Sequence, residues 1–134
     1  MLDLLKEGSG GIISLATSND ARFPAENILD GQLDTFWMTT GMFPQEFVVS
    51  LVRPARLHTI RIHTHGVKHL SMEWSSAKEP VDFKHLAEKE LEPMETLQVE
   101  EFSAEGLLAL HLRFIILNGH DHFVSVHQVT LEGE

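Results

Sequence analysis

The residues best suited to chemistry in this chain lie close together, in residues 26–37 (Glu-Asn-Ile-Leu-Asp-Gly-Gln-Leu-Asp-Thr-Phe-Trp). Four side chains here carry oxygen atoms at short spacing: Asn27, Asp30, Asp34 and Thr35. Hard oxygen donors of this kind are the ligands that Ca²⁺ prefers, and Gly31 permits a sharp turn that would direct backbone carbonyls to the same point. The stretch therefore predicts a small calcium-binding loop. The alternative is a capped turn, in which Asn27 and Asp30 bond backbone amides and no ion is present.

The loop by itself offers too few ligands for a cation that takes six to eight oxygens. A β-sandwich usually brings its two termini together, so we expect Glu132, just after the last expected strand, to complete the site as a bidentate ligand. Leu29, Phe36 and Trp37 are expected to anchor the loop to the core. The spacing of the oxygen-bearing residues differs from that of an EF-hand.

Histidines form a second candidate site, since the chain has nine of them. His63 and His65 share one face of an expected strand, and His120 and His122 have the same spacing across a turn. Two such pairs would build a zinc site if they met in space. The alternative is that these side chains are exposed or hydrogen-bonded, as most histidines of a half-buried sheet are.

Motifs of common catalytic sites are missing from the sequence. There is no cysteine for thiol chemistry, no Gly-x-Ser-x-Gly elbow and no glycine-rich phosphate loop. Glu100 and Glu101 are adjacent on an expected strand, so their carboxylates point to opposite faces. The sequence therefore predicts a protein that is not an enzyme.

An apolar cluster in expected loops has two interpretations. Its members are Phe36, Trp37, Met42 and Phe43. Either these side chains cap the core of the domain, or Met42 and Phe43, with Pro44, lie in a surface that binds a partner.

Length and composition favour one folded domain over residues 1–134, with 43% hydrophobic residues. No apolar run approaches the roughly eighteen residues of a membrane span, so we expect no membrane insertion. The net charge of −10, counting histidines as neutral, argues against nucleic acid or an anionic membrane as the main partner. The absence of cysteine favours a reducing, cytoplasmic compartment.

Alternation of apolar and polar residues predicts strands over most of the chain. The clearest strand covers residues 108–117, where one face carries Leu108, Leu110, Leu112, Phe114 and Ile116. This is a period of two, which a helix would not produce. Residues 56–65 alternate in the same way. Residues 83–91 instead predict a short helix, with Asp82 as its N-cap and Pro93 ending it.

The remaining expected elements complete an all-β protein. Strands are expected at residues 2–5, 12–17, 47–52, 67–75, 94–103 and 123–131, a flexible turn at 6–11 and a helical turn at 25–29. Arg53-Pro54 is expected to end the strand before it. Short strands at regular spacing, with Gly and Pro in the loops, predict an antiparallel β-sandwich.

Several stretches resemble a known family. Residues 16–18, 24–31 and 34–39 (Ala-Thr-Ser, Pro-Ala-Glu-Asn-Ile-Leu-Asp-Gly and Asp-Thr-Phe-Trp-Met-Thr) resemble the opening of discoidin-type, galactose-binding-like jelly rolls. Residues 40–47, 76–83, 112–116 and 121–127 narrow the resemblance to the small jelly-roll subunits of the intraflagellar transport B (IFT-B) complex. The resemblance covers nearly the whole chain.

The resemblance implies a function that spacing does not show. It implies a non-catalytic subunit that pairs as a heterodimer with a Rab-like small GTPase, intraflagellar transport protein twenty-seven, and joins other IFT-B subunits. It implies ciliary or flagellar traffic, with the protein in the cytoplasm, the cilium or flagellum and the basal body. It also implies a structural calcium ion, with ligands that match Asn27, Asp30 and Thr35, and Glu132 at the end of the last strand.

Two departures from the wider discoidin pattern bear on the alternative function, a carbohydrate-binding, lectin-like module. Extracellular members tie their termini with a disulfide, whereas this chain has no cysteine. The loops show no evident set of basic and aromatic residues that would bind a sugar.

Overall fold

Two long antiparallel strands, β4 (Gln45–His65) and β7 (Gln98–Gly119), form the centre of the fold, and the other elements pair with them. They are seen in a computed structural model that describes residues 2–5 and 11–134. The other elements are β1 (Leu2–Asp3), β2 (Ile12–Ala16), a 3₁₀ helix (Ala25–Leu29), β3 (Trp37–Met38), β5 (Val67–Ser75), β6 (Lys84–Glu90) and β8 (Ser125–Gly133).

Each long strand is shared between two layers, because its two halves pair with different neighbours. In the first layer, residues 45–50 of β4 pair with β2 on one side and with residues 111–116 of β7 on the other. This part of β7 pairs onward with β5, and β5 pairs with β6. The first layer therefore has the order β2-β4-β7-β5-β6, with β2 and β6 at its edges.

In the second layer, residues 59–65 of β4 lie between residues 98–103 of β7 and strand β8. Strands β1 and β3 pair with β8 on its other side, near its two ends. Register shifts between Ser50 and Ala55 and between Leu57 and Thr59 mark where β4 passes from one layer to the other, and such irregularities bend a strand. The expected all-β, antiparallel jelly-roll sandwich is confirmed.

The core lies between the layers and is built from alternate residues of the strands. Trp37, Phe47 and Phe114 are fully buried, and the rings of Phe47 and Phe114 stack with centroids 4.9 Å apart. Leu112, Phe114 and Ile116 face the core as predicted. Leu108 is exposed instead, so its expected place in the core is wrong. Leu110 likewise lies outside the core, whereas Ala109 is buried in it. The buried face therefore changes between Ala109 and Leu112, opposite the register shift of β4 between Ser50 and Ala55.

The expected helix at residues 83–91 is wrong, because residues 84–90 form strand β6 and pair with β5. Asp82 is not an N-cap but a turn residue with a φ of 58°. The expected end of a strand at Arg53-Pro54 is also wrong, since β4 runs on through both residues. Pro54 fits there because it lies in the register shift, where no ladder pair requires its missing N–H.

The strands expected at residues 94–103 and 108–117 are parts of one strand, β7, and the other expected elements match apart from their ends. The expected turn at residues 6–11 lies outside the described residues except for Gly11. Within the described residues, no helix is long and apolar enough to cross a membrane.

Candidate functional site

The oxygen-rich loop follows the 3₁₀ helix and leads into β3. Asp30 ends the helix, and Gly31 turns the chain with a φ of 77°, which glycine adopts readily. The Asp30 carboxylate then accepts two hydrogen bonds. The backbone N–H of Gln32 donates to its Oδ1 at 2.9 Å, and the Thr35 hydroxyl donates to its Oδ2 at 2.5 Å. Asp30 thus closes the loop on itself as an Asx-type turn.

Two side chains outside the turn fix the loop against the sandwich. Asn27 Nδ2 donates to the Phe36 carbonyl at 3.0 Å. His127, on β8, places its Nδ1 2.7 Å from the Leu33 carbonyl, which can only accept, so this nitrogen carries a proton. The His127 ring also lies 4.9 Å from the Phe36 ring. The hydrogen bonds of Asn27 and His127 therefore hold the loop against the sandwich without a bound ligand.

The expected apolar anchors of the loop fall in different places. Trp37 is fully buried, donates its indole N–H to the Ser18 carbonyl at 2.9 Å and packs edge-on against Phe47. Leu29 packs against the core. Phe36 does not enter the core; it stacks on Phe23 at 4.8 Å, beside His127. Trp37 is therefore the main anchor.

The donor atoms of the loop fit the chemistry of calcium. The Thr35 hydroxyl lies 2.5 Å from Asp30 Oδ2 and 3.4 Å from the Gln32 carbonyl oxygen, so three hard oxygens converge. The Asn27 side-chain amide donates a hydrogen bond to the Phe36 carbonyl through its nitrogen. The amide oxygen of Asn27 can therefore serve as a further ligand for a cation. Asp34 is exposed in the same loop. The calcium set itself stays a prediction.

Glu132 lies within β8 and already has a partner. Arg61 Nη1 lies 3.4 Å from the Glu132 carboxylate, and Arg61 also bonds Glu101 at 2.7 Å. The hydrogen bond to Glu101 raises the pKa of Arg61 above its usual range, so the guanidinium stays charged. A cavity of about 220 Å³ beside Asp30 is lined by Asp3 and Gln128 among others, and Glu132 is not part of that lining. Glu132 would have to leave Arg61 to serve as a ligand.

The histidine pairs do not assemble a zinc site. Within residues 2–5 and 11–134, no group of three or more His, Asp or Glu side chains is placed to hold a metal ion. The ring of His120 bonds the Leu91 carbonyl at 2.7 Å, which holds the turn before β8. Burial lowers the pKa of His63, with smaller contributions from the nearby charges of Arg61 and His127.

His111 is a residue that sequence reasoning missed. It is buried on the outer face of the first layer, where its Nδ1 lies 2.7 Å from the Ser50 hydroxyl and its Nε2 lies 3.1 Å from the Ala77 carbonyl. Because a carbonyl only accepts, Nε2 carries the proton and Ser50 donates to Nδ1 in the neutral ring. His111 thereby fastens the loop between β5 and β6 over the sheet. Alternation placed His111 opposite the core, but only tertiary structure shows that a loop covers it.

The apolar loop cluster is divided between core and surface. Trp37 is in the core, and Phe43 packs against it. Met42 is 89% exposed and lies at the rim of a cleft of about 770 Å³, which residues 118–123 line on the other side. Phe123 is the exposed aromatic of that side. Core capping is therefore right for two members of the cluster, and Met42 lies on the surface.

Curated proteins of similar sequence cover nearly the whole chain. The Homo sapiens protein named "Intraflagellar transport protein 25 homolog" is 47% identical over 133 residues, which are 98% of this chain and 92% of that protein. The Chlamydomonas reinhardtii "Intraflagellar transport protein 25" is 38% identical over 133 residues, 99% of this chain and 70% of that protein. No model of a known protein family matches the sequence.

Solved structures of similar fold have little sequence in common with this chain. A chitosan-binding module from Paenibacillus sp. IK-5 superposes with a TM-score of 0.82 at 14% identity, covering 99% of this chain and all of that chain. The family 32 CBM of C. perfringens NanJ, solved in complex with galactose, has a TM-score of 0.75 at 19% identity and covers 90% and 92% of the two chains. These similarities support the jelly-roll fold.

Proposed function

Because this chain belongs to the intraflagellar transport protein 25 family, we propose that it is a non-catalytic subunit of the IFT-B complex. In this proposal it forms a heterodimer with a Rab-like small GTPase, intraflagellar transport protein twenty-seven, and supports traffic in the cilium or flagellum. The observation that carries the proposal is the 47% identity to the human relative over 133 residues.

The surface of the sandwich is compatible with a binding role. The described residues expose several large apolar side chains, including Met42 and Phe123 at one end of the sandwich and Val99 on β7. Exposed apolar side chains that cluster are typical of protein interaction sites. The net charge of −10 favours a partner surface with basic residues.

The proposal includes a structural calcium ion at the oxygen-rich loop. Asn27, Asp30 and Thr35 would hold it, and Glu132 would join them after releasing Arg61. The cation would link the loop before β3 to the end of β8 and so fasten the start of the sandwich to its end. Calcium would serve stability here, while partner binding would use other surfaces.

Copurification tests the heterodimer. The chain and the Rab-like GTPase, expressed together, should elute as one stoichiometric complex in size-exclusion chromatography. A small GTPase of the Ras type, expressed in the same way, is the control and should elute separately. Separate elution of the chain and the Rab-like GTPase at micromolar concentration would contradict the proposal. Flagella of cells that lack the chain should then carry less of the GTPase.

The second candidate function is a carbohydrate-binding module, favoured by the neighbours named for chitosan binding and solved with galactose. The cleft between Met42 and Phe123 would be the place for a sugar, because aromatic side chains stack on sugar rings. Trp37 is fully buried and could not take part. Saturable binding on a glycan array that is lost in Phe123→Ala would favour this function. An array without signal would contradict it.

A further inference from the structure

Strand β2 leaves one backbone edge of the first layer open. Among the described strands it pairs only with β4, on one side. No backbone hydrogen bond joins residues 12–16 to any other part of the described chain. An antiparallel edge strand directs alternate N–H and C=O groups outward, and these groups can pair with a further strand.

The two edges of the first layer are built differently. Strand β6, at the opposite edge, reads Lys-His-Leu-Ala-Glu-Lys-Glu, and Lys84, Glu88, Lys89 and Glu90 are all exposed. Charged side chains of this kind are how natural proteins prevent edge strands from pairing. Strand β2 reads Ile-Ile-Ser-Leu-Ala and has no charged residue. Its Ile12 and Leu15 are 58% and 45% exposed. Charge therefore protects the β6 edge, whereas the β2 edge carries no charged residue and is interrupted only by a register shift between Ile13 and Leu15, which places Ile12 and Leu15 on the same face.

A groove of about 300 Å³ runs beside β2 and gives an added strand room to lie. One side of the groove is β2 itself, and residues 19–21 and 24–26 form the other. Ile13, Ala16 and Ala25 make its lining partly apolar. The groove therefore borders apolar side chains next to the unpaired backbone.

Charge indicates which occupant fits the groove. Asp20 and Glu26 both line it. Arg22 binds Asp20 at 2.8 Å and lowers the pKa of its carboxyl through that hydrogen bond, so Asp20 stays ionised and Arg22 balances its charge. Glu26 is exposed and is not part of this ion pair. A second copy of the chain would bring another net charge of −10, whereas a basic segment would complement the groove.

We propose that β2 binds an extended segment of a partner protein as an added strand of the first layer. The backbone groups of residues 12–16 pair with that segment, and its apolar side chains at alternate positions contact Ile12 and Leu15. Its Lys or Arg side chains lie near Glu26. Backbone pairing supplies affinity in this mode of recognition, and alternate side chains supply specificity.

The test uses a fluorescein-labelled synthetic peptide in which Val and Lys alternate. Fluorescence anisotropy should show saturable binding to the intact chain, and hydrogen exchange of residues 12–16 should slow when the peptide is present. A peptide of alternating Val and Glu, and the Val/Lys peptide N-methylated along one edge, should bind at least about tenfold more weakly, equivalent to about 1.4 kcal/mol.

A matched pair of variants locates the contact. Leu15→Lys places a positive charge on the β2 edge and should weaken binding of the Val/Lys peptide by about tenfold or more. Val81→Lys, at a side chain that is 51% exposed in the loop before β6, should bind like the unchanged chain. Since Leu15 is largely exposed, both variants should fold, which circular dichroism checks.

Three results would overturn the inference. The first is the absence of saturable binding of the Val/Lys peptide to the intact chain. The second is equal binding by Leu15→Lys or by the N-methylated peptide, because backbone pairing at β2 would then not be the contact. The third is a concentration-dependent dimer that protects the amides of residues 12–16, because the occupant would then be a second copy.

Discussion

The substitution Asp30→Ala separates a capped turn from a cation site. The carboxylate of Asp30 accepts the Gln32 N–H at 2.9 Å and the Thr35 hydroxyl at 2.5 Å. A hydrogen bond contributes about 0.5–1.5 kcal/mol net to stability, and exposure puts these two at the lower end. We therefore expect Asp30→Ala to lower the free energy of unfolding by about 1 kcal/mol in the presence of a chelator.

A bound cation would also raise the free energy of unfolding, by an amount that depends on the cation concentration. A ligand that binds only the folded chain stabilises it by about 2.7 kcal/mol at a hundredfold excess over its Kd. For a domain of this size, 1 kcal/mol corresponds to a change in Tm of roughly 4 °C. The unchanged chain should therefore melt about 10 °C higher in saturating calcium than in chelator, and Asp30→Ala should show no such difference.

Calorimetry in calcium, in magnesium and in chelator measures these effects. Asp34→Ala is the matched control, because Asp34 is an exposed carboxylate in the same loop but outside the set Asn27, Asp30 and Thr35. It should keep the rise in Tm that calcium gives. An equal Tm in calcium and in chelator for the unchanged chain would refute the cation site, and a full calcium response in Asp30→Ala would refute the role of Asp30.

Three further outcomes follow from the core, the strand pairing and the half-buried His63. Phe47→Ala removes a fully buried ring that stacks on another, so unfolding in urea should show a loss of about 3–5 kcal/mol. Gly133→Ala would put a methyl group against the Arg56 carbonyl and should cost about 1–3 kcal/mol in the same assay. Because the pKa of His63 is lowered in the folded chain, the unfolded chain binds more protons just below pH 6.5, and stability should fall as pH drops there. His63→Gln should reduce this slope in melting curves recorded across that range, whereas His65→Gln, at an exposed position of the same strand, should not.

Alternation was a reliable guide where a strand had one buried and one exposed face. Leu112, Phe114 and Ile116 face the core as their period of two predicts. The same rule did not reveal what lies on the other face. His111 points away from the core and is nevertheless buried, because the loop after β5 folds over it. A contact with a segment far away in the chain cannot be inferred from the local alternation of apolar and polar residues.

Local propensity was misleading at β6. Residues 84–90 are rich in Lys, Glu and Ala, which favour helices, and Pro93 resembled a helix end. The segment is a strand because β5 offers it a backbone edge to pair with, and that pairing outweighs a preference of a few tenths of a kcal/mol per residue. Pro54 likewise predicts the end of a strand, although a register shift accommodates it within β4.

The sequence alone determined the class of fold, most of the strands and the oxygen-rich loop, because these depend on residue type and short spacing. Asp30 and Thr35 are close in the chain, so their hydrogen bond needed no long-range information. Tertiary structure decided the partners of residues far apart. It placed Glu132 against Arg61 and, among the described strands, gave β2 no partner on the edge beside a groove. Such contacts join segments whose local sequences carry no record of one another, and only the folded chain brings them together.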